Sequence, residues 1–206
     1  MFKTFTATMI AITLGAAAQA ETWTLDGGNS HLAFGSIKKD ELGEVHTFNG
    51  LSGTVSEEGN VAVEIDLTSV ETNIDIRNER MIEHVFKDAA TATLSAEIEM
   101  DALNALPVGG MTTIEVFGSL SLVGTELDVD TEMFVVRLSE SQVMVTTNDI
   151  VFLNAIDAGI NEGVTKLMEL AELPSITRTS PVTMRLIFTT DDQKAEAAPI
   201  TQKDRT

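Results

Sequence analysis

The chain has 206 residues with no cysteine, one tryptophan and no tyrosine, and 32 acidic residues against 13 basic ones give a formal net charge of −19 at pH 7. Without cysteine the fold rests on its core and sheet alone, with neither disulfides nor a lipidated thiol as anchor. So negative a chain repels nucleic acid and is not drawn by net charge to an anionic membrane, and the charge itself reads as a well-solvated surface.

Residues 1–20 read as an export signal, with Lys3 as a weak positive start, an apolar stretch from Met9 to Leu14, and Ala18-Gln19-Ala20 as a cleavage site. The segment is short and carries Thr4, Thr6, Thr8 and Thr13, which argues against a membrane span. The expectation is a periplasmic protein that loses this leader. What remains suits one domain over residues 21–190, followed by a polar tail, 191–206, expected to be disordered.

Trp23 to Asp26 reads as a first strand, broken by Gly27-Gly28-Asn29, and Leu32, Phe34 and Ser36 share one face of the next. From Val45 to Thr54, Phe48 and Leu51 stand among Gly50 and Gly53, which predicts a strand that bends. Val61, Val63, Ile65 and Leu67 then alternate with Ala62, Glu64, Asp66 and Thr68, the period of a strand with one wet and one dry face. A loop with Thr72 and Arg77 leads into a short helix, capped by Asn78, whose apolar face is Met81, Ile82, Val85 and Phe86. Alternation resumes with Leu94, Ala96, Ile98 and Met100. This strand, helix, strand unit presents a continuous apolar surface with no catalytic cluster, which points to binding before chemistry.

Beyond the turn Pro107-Val108-Gly109-Gly110, Ile114, Val116, Leu120 and Leu122 form one strand, ended by Gly124. Leu127, Val129, Met133 and Val135 form a second, long one with a mainly acidic outer face. Val143 and Val145 start a further strand, and periodicity weakens from Asn148 to Ile160. A second helix, capped by Asn161, carries Val164, Leu167, Met168 and Ala171 on one side and stops at Pro174. Val182, Met184, Leu186 and Phe188 close the sequence of strands. About eight strands, two short helices and no βαβ rhythm give an all-β fold, an antiparallel sheet closed into a barrel, with a sandwich as the runner-up. Such a barrel is either filled by its own side chains or holds one small ligand. Phe34, Phe48, Phe86, Phe117 and Phe152, with Met81, Met133 and Met184, suit either an ordinary core or a wide, deformable lining.

Trp23-Thr-Leu-Asp26, Ser30, Phe34, Phe48-x-x-Leu51-x-Gly53, Ser69-Val70-x-Thr72 and Arg77-Asn78 resemble the YceI-like family of exported proteins. Val116-x-Gly118-x-Leu120-x-Leu122-x-Gly124 is similar to its glycine-spaced strand. Asn154-Ala155-x-Asp157 and Leu167-x-Glu169-Leu170-Ala171-x-Leu173-Pro174-Ser175-Ile176 resemble one proteobacterial branch. The motifs keep their order over residues 22 to 190. The resemblance implies a lipocalin-like barrel whose apolar interior holds a polyisoprenoid, such as a quinone tail, or another long lipid, with no enzymatic activity and no further cofactor. On that reading the lining is Phe34, Phe48, Ile65, Leu67, Met81, Val85, Phe86, Leu94, Ile98, Val116, Leu120, Met133, Val135, Phe152, Met184 and Leu186. Two positions depart from the family's pattern, Asn29 where a histidine often precedes the serine and Glu126 where a basic residue often follows the glycine. Both are assigned to a head-group end of the pocket.

A small hydrolase or metal-dependent enzyme on the same barrel is the alternative, and an interaction module with a packed core is a third. His31, His46 and His84 lack the local spacing of a zinc motif. Ser30 and His31 are strand neighbours and point to opposite faces, so they form no nucleophile–base pair. Arg77 is the polar residue singled out, either bridging loop carbonyls and a carboxylate or reaching a ligand oxygen. The expected partner is a hydrophobic small molecule, without stable membrane insertion, and a homodimer stays open.

Overall fold

The computed structural model describes residues 22–190, so the expected leader, 1–20, and tail, 191–206, lie outside the described residues. Its strands are β1 (Trp23–Leu25), β2 (His31–Lys38), β3 (Leu42–Phe48), β4 (Leu51–Val55), β5 (Asn60–Asp66), β6 (Val70–Glu71), β7 (Thr91–Glu97), β8 (Met111–Leu122), β9 (Thr125–Ser139), β10 (Gln142–Thr147), β11 (Val151–Asn154) and β12 (Thr179–Thr189). The order β1-β4-β5-β7-β8-β9-β10-β12 returns to β1 through Thr24 opposite Thr189, closing an antiparallel barrel of eight strands. The expected lipocalin-like barrel is the fold found.

At one end this ring is extended. β2 continues the edge of β12 that β1 occupies at the other end, with Phe34 opposite Val182, and β11 takes over from β10 on the opposite edge. β3 and β4 are two halves of one strand that bends at Asn49 and Gly50, as the glycines predicted. A Cβ at Gly50 would lie 2.7 Å from the Cβ of Asp66, so only glycine allows the bend to close against β5.

Helices sit at the two ends. α1 (Asp75–Arg80) runs directly into a single π-helical turn, Met81–Val85, where the Phe86 N–H donates to the Met81 carbonyl at 2.9 Å. The wider turn brings Met81, Val85 and Phe86, spaced four and five apart, onto one buried face. α2 (Met100–Asn104) closes the far end, and α3 (Asn161–Leu170) lies beside the π turn. They touch at Gly163, where a Cβ would fall 2.3 Å from the His84 carbonyl oxygen.

Several expectations about the helices need correction. Asn78 lies inside α1 and caps nothing; its Oδ1 accepts from the N–H and hydroxyl of Thr72, tying down the preceding loop. Asn161 is already helical, with Ile160 in the cap position and no side-chain cap bond. Met100 does not continue a strand. After the Ile98 N–H bonds the Gly59 carbonyl the chain leaves the sheet, and Met100 begins α2, a helix the sequence reading did not anticipate.

Candidate functional site

Alternation along the strands sends one set of side chains into the barrel, and they do not fill it. A cavity of about 450 Å³ occupies the extended end. Its walls include Leu32 and Phe34 from β2, Phe48 from β3, Val63 and Ile65 from β5, Ala92 and Leu94 from β7, Leu120 and Leu122 from β8, and Val182, Met184 and Leu186 from β12. Met81, Val85 and Phe86 cover it together with Val164 and Leu167 of α3 and Ala171 just after it. A second chamber of about 120 Å³ lies at the other end, lined by Trp23, Val61, Ile98, Val116, Met133, Val143 and Val145 and closed by Met100, Leu103 and Leu106. The two chambers share Val63, Leu94, Val129, Met184 and Leu186, so they meet at one ring of side chains. Gly118 leaves space beside that ring. At the closed end Trp23 is buried and carries the Arg137 guanidinium 5.2 Å above its ring.

The larger chamber ends in a polar rim. Glu44, His46 and Phe48 point inward from β3, opposite Ser36, Phe34 and Leu32 of β2. Glu44 is held on both oxygens, accepting from Lys38 Nζ and from Arg77 Nη1 at 2.8 Å each. Arg77 Nη2 donates to the Thr72 carbonyl at 2.7 Å. Arg77 thus joins loop and carboxylate in the bridging arrangement that the sequence allowed. Burial pushes the Glu44 carboxyl up, but hydrogen bonds and attraction from Lys38 and Arg77 outweigh it, and the net shift is downward from 4.5. His46 is 3% exposed, and burial, then the nearby Arg77 charge, lower its pKa from 6.5. A row of rings leads inward: His46 and Phe34 centroids are 5.2 Å apart, Phe34 stacks on Phe48 at 5.2 Å, and Phe48 meets Phe86 at 5.8 Å. Arg178 and Arg80 complete the rim, bonded to the Thr165 hydroxyl and the Leu170 carbonyl.

One pair has the outline of catalytic chemistry: Ser36 Oγ lies 3.0 Å from His46 Nε2. An activated serine also needs a group that orients the base through its other nitrogen. His46 Nδ1 has no hydrogen-bond partner, and the nearest carboxylate in the network, Glu44, is committed to Lys38 and Arg77. Among the described residues no group of three or more metal-ligating side chains is brought together, and no helix is long and apolar enough to cross a membrane.

Of the residues expected to line the interior, Phe34, Phe48, Ile65, Leu67, Met81, Val85, Phe86, Leu94, Leu120, Met184 and Leu186 face the larger chamber. Ile98, Val116, Met133 and Val135 face the smaller one. Phe152 does not: it is 65% exposed on the outer face of β11, and Phe117, 68% exposed, lies outside β8 because Val116 and Gly118 point in. Asn29 is also displaced from the site, since its amide donates to Asp26 in an exposed turn, and Glu126 is an exposed acceptor for Ser119 on the outer barrel. Neither lies at the polar rim. Ser36, Lys38, Glu44, Arg80 and Arg178 were not anticipated there, and His46 was weighed only as a metal ligand.

Comparison with known proteins agrees with this geometry. Residues 23–172 match the family model described as the YceI-like domain. Among solved structures, a polyisoprenoid binding domain from Saccharophagus degradans, implicated in plant cell wall breakdown, is 35% identical with a TM-score of 0.80, over 82% of this chain and 98% of that one. BcnA of Burkholderia cenocepacia shares the fold at 13% identity and a TM-score of 0.58, over 79% of this chain and 98% of its own. No curated protein matches.

Proposed function

The chain belongs to the YceI-like family, and from that premise we propose that it is a binding or carrier protein that holds a long isoprenoid, of quinone or polyprenyl type, along the barrel axis. The observation that carries this reading is the unfilled interior. A void of about 450 Å³ lies within the range of about 300–1,000 Å³ typical of small-molecule sites. At roughly 24 cal/mol per Å³, an empty cavity of that volume forgoes on the order of 10 kcal/mol of packing. That is comparable to the whole net stability of a typical domain, about 5–15 kcal/mol. A void of that size supports a ligand site over a packing defect. Its shape fits a chain: two mainly apolar chambers that meet at a shared ring of side chains, a smaller far end, and a cluster of charged groups at the rim of the larger one.

The similarity to the Saccharophagus polyisoprenoid binding domain supports the class of ligand. On this reading the head group lies at the rim beside Arg77, Arg178 and Ser36, and the tail runs past Phe34 and Phe48 toward Met184, all of which line the larger chamber. The role is binding, without chemistry on the ligand. Export to the periplasm, with loss of residues 1–20, completes the proposal and rests on the leader's sequence alone.

The test is native mass spectrometry of protein purified from its own source, followed by organic extraction and identification of the released molecule. An isoprenoid in stoichiometric amount is expected. A protein that arrives at its bare polypeptide mass, and takes up no polyprenol when offered one, would overturn the reading.

A further inference from the structure

We propose that the rim of the larger chamber docks reversibly on a lipid bilayer, with the β2–β3 tip and α1 seated among the head groups; the inference rests on the isoprenoid-binding reading. At this rim apolar side chains continue from the cavity onto the outside. Ile74, just before α1, and Ile76 within it line the chamber and are still 43% and 51% exposed. Leu42, 48% exposed, is the cross-strand neighbour of Lys38, itself a lining residue, and Ile37 beside it is 40% exposed. A long isoprenoid resides in a bilayer, and each methylene exposed to water on the way to the protein lowers the transfer rate roughly fourfold. A rim that touches the bilayer removes that barrier.

The charge distribution orients the contact. Among the described residues every lysine and arginine except Arg137 and Arg185 belongs to β2 and the turn after it, α1 and the segment through Asp88 that follows it, α3, or the strap from 171 to 178. These segments also carry acids, Asp40, Glu41 and Asp75 among them, so the rim is close to neutral and not basic. The outer barrel is different: Glu115, Glu126, Asp128, Asp130 and Glu132 face solvent on β8 and β9 with no cation interspersed. A protein so polarised presents its rim to an anionic surface and turns its barrel wall away. The other exposed aromatics fail this criterion. Phe152 borders a cleft with Asp128, Asp130, Glu132 and Asp149, and Phe117 is opposite Asp130.

The chain has no cysteine, so single labels are clean. Full-length mature protein carrying Leu42→Cys or Val108→Cys, each labelled with an environment-sensitive dye, is mixed with vesicles of phosphatidylcholine and phosphatidylglycerol. Val108 is 51% exposed in the turn beside Arg137, at the far end of the barrel. A blue shift at position 42 and none at 108 is expected. Equal shifts, or none at 42, would overturn the docking. The double variant Ile37→Ser with Leu42→Ser is expected to lower the vesicle partition coefficient about tenfold per side chain. It is also expected to slow uptake of solanesol from vesicles while leaving farnesol binding from solution unchanged. Unaltered solanesol uptake would again overturn the docking. Failure of the unmodified protein to bind farnesol would instead count against the isoprenoid reading, and the dye shifts would then decide the docking on their own.

Discussion

Replacing Val116 by tryptophan separates a tunnel from a packed core. Val116 faces the far chamber of about 120 Å³, and an indole in place of its isopropyl group occupies most of that space. One isoprene unit carries five carbons, worth about 4 kcal/mol gross at ~0.8 kcal/mol each, or up to about a thousandfold in affinity before ordering costs. In the unmodified protein, affinity measured by calorimetry across geraniol, farnesol, geranylgeraniol and solanesol should climb until both chambers are full. In Val116→Trp the climb should stop about one unit earlier while the barrel melts near its original temperature, because the new ring enters space that was not protein. Ile65→Trp, in the larger chamber, should stop it sooner still. A filled core responds in the opposite way. Overpacking there costs ~1–3 kcal/mol, and at about 2–4 °C per kcal/mol for a domain of this size the melting temperature should fall by roughly 2–12 °C. An unchanged chain-length profile together with that fall would refute the reasoning.

Arg77→Met removes the donor to the Thr72 carbonyl and one of the two partners of Glu44, and a loss of about 1–3 kcal/mol is expected in thermal melts without ligand. Unchanged stability with weaker polyprenol binding would assign Arg77 to the ligand instead. The lowered pKa of His46 means that below about 6.5 the unfolded chain takes up a proton that the folded one refuses, so stability falls as pH drops. His46→Phe should flatten the difference between melts at pH 7 and pH 5; a slope equal to that of the parent would show that His46 does not contribute. The depressed Glu44 adds stability that is complete above its unfolded value and is lost as pH falls through the folded one, so Glu44→Gln should matter least in strong acid. Gly163→Ala would gain up to about 1 kcal/mol of helix propensity on an open surface. Here its Cβ would meet the backbone of His84 and Val85, and a net loss of stability with faster ligand release is expected; a stabilised variant would contradict the close contact.

The barrel was legible because each long strand repeats its period several times. Val61 to Leu67, Ile114 to Leu122 and Val182 to Phe188 all turn inward the residues that alternation assigns, buried or, at Val61, Ile114 and Val116, partly buried against the core. The errors arose where residue type was weighed above position. Phe117 lies between Val116 and Gly118, both inward, and two-residue parity already places it outside. Phe152 falls on a four-residue strand, too short for parity to show. The polar rim was hidden for another reason. Ser36 meets His46, Glu44 meets Arg77 and Arg178 meets Thr165 only after β2–β3 pairing and helix docking bring segments ten or more residues apart together. The inward triplet Glu44-x-His46-x-Phe48 was the one available sign, since polar residues on the dry face of a strand call for partners. α2 was missed because its single turn is too short to repeat a period.

Trp23 makes the far end of the tunnel optically distinct. It is the only tryptophan of a chain without tyrosine, so essentially all near-ultraviolet emission originates from one buried ring against the far chamber, under the Arg137 guanidinium. A tail that stops in the larger chamber leaves that ring's surroundings as they were, whereas one that passes the ring of Leu94 and Met184 displaces whatever lies beside the indole and alters its emission maximum and accessibility to quenchers. Unlabelled protein therefore serves as its own ruler: head-group occupancy at the rim is silent, and fluorescence reports how deep the chain has reached.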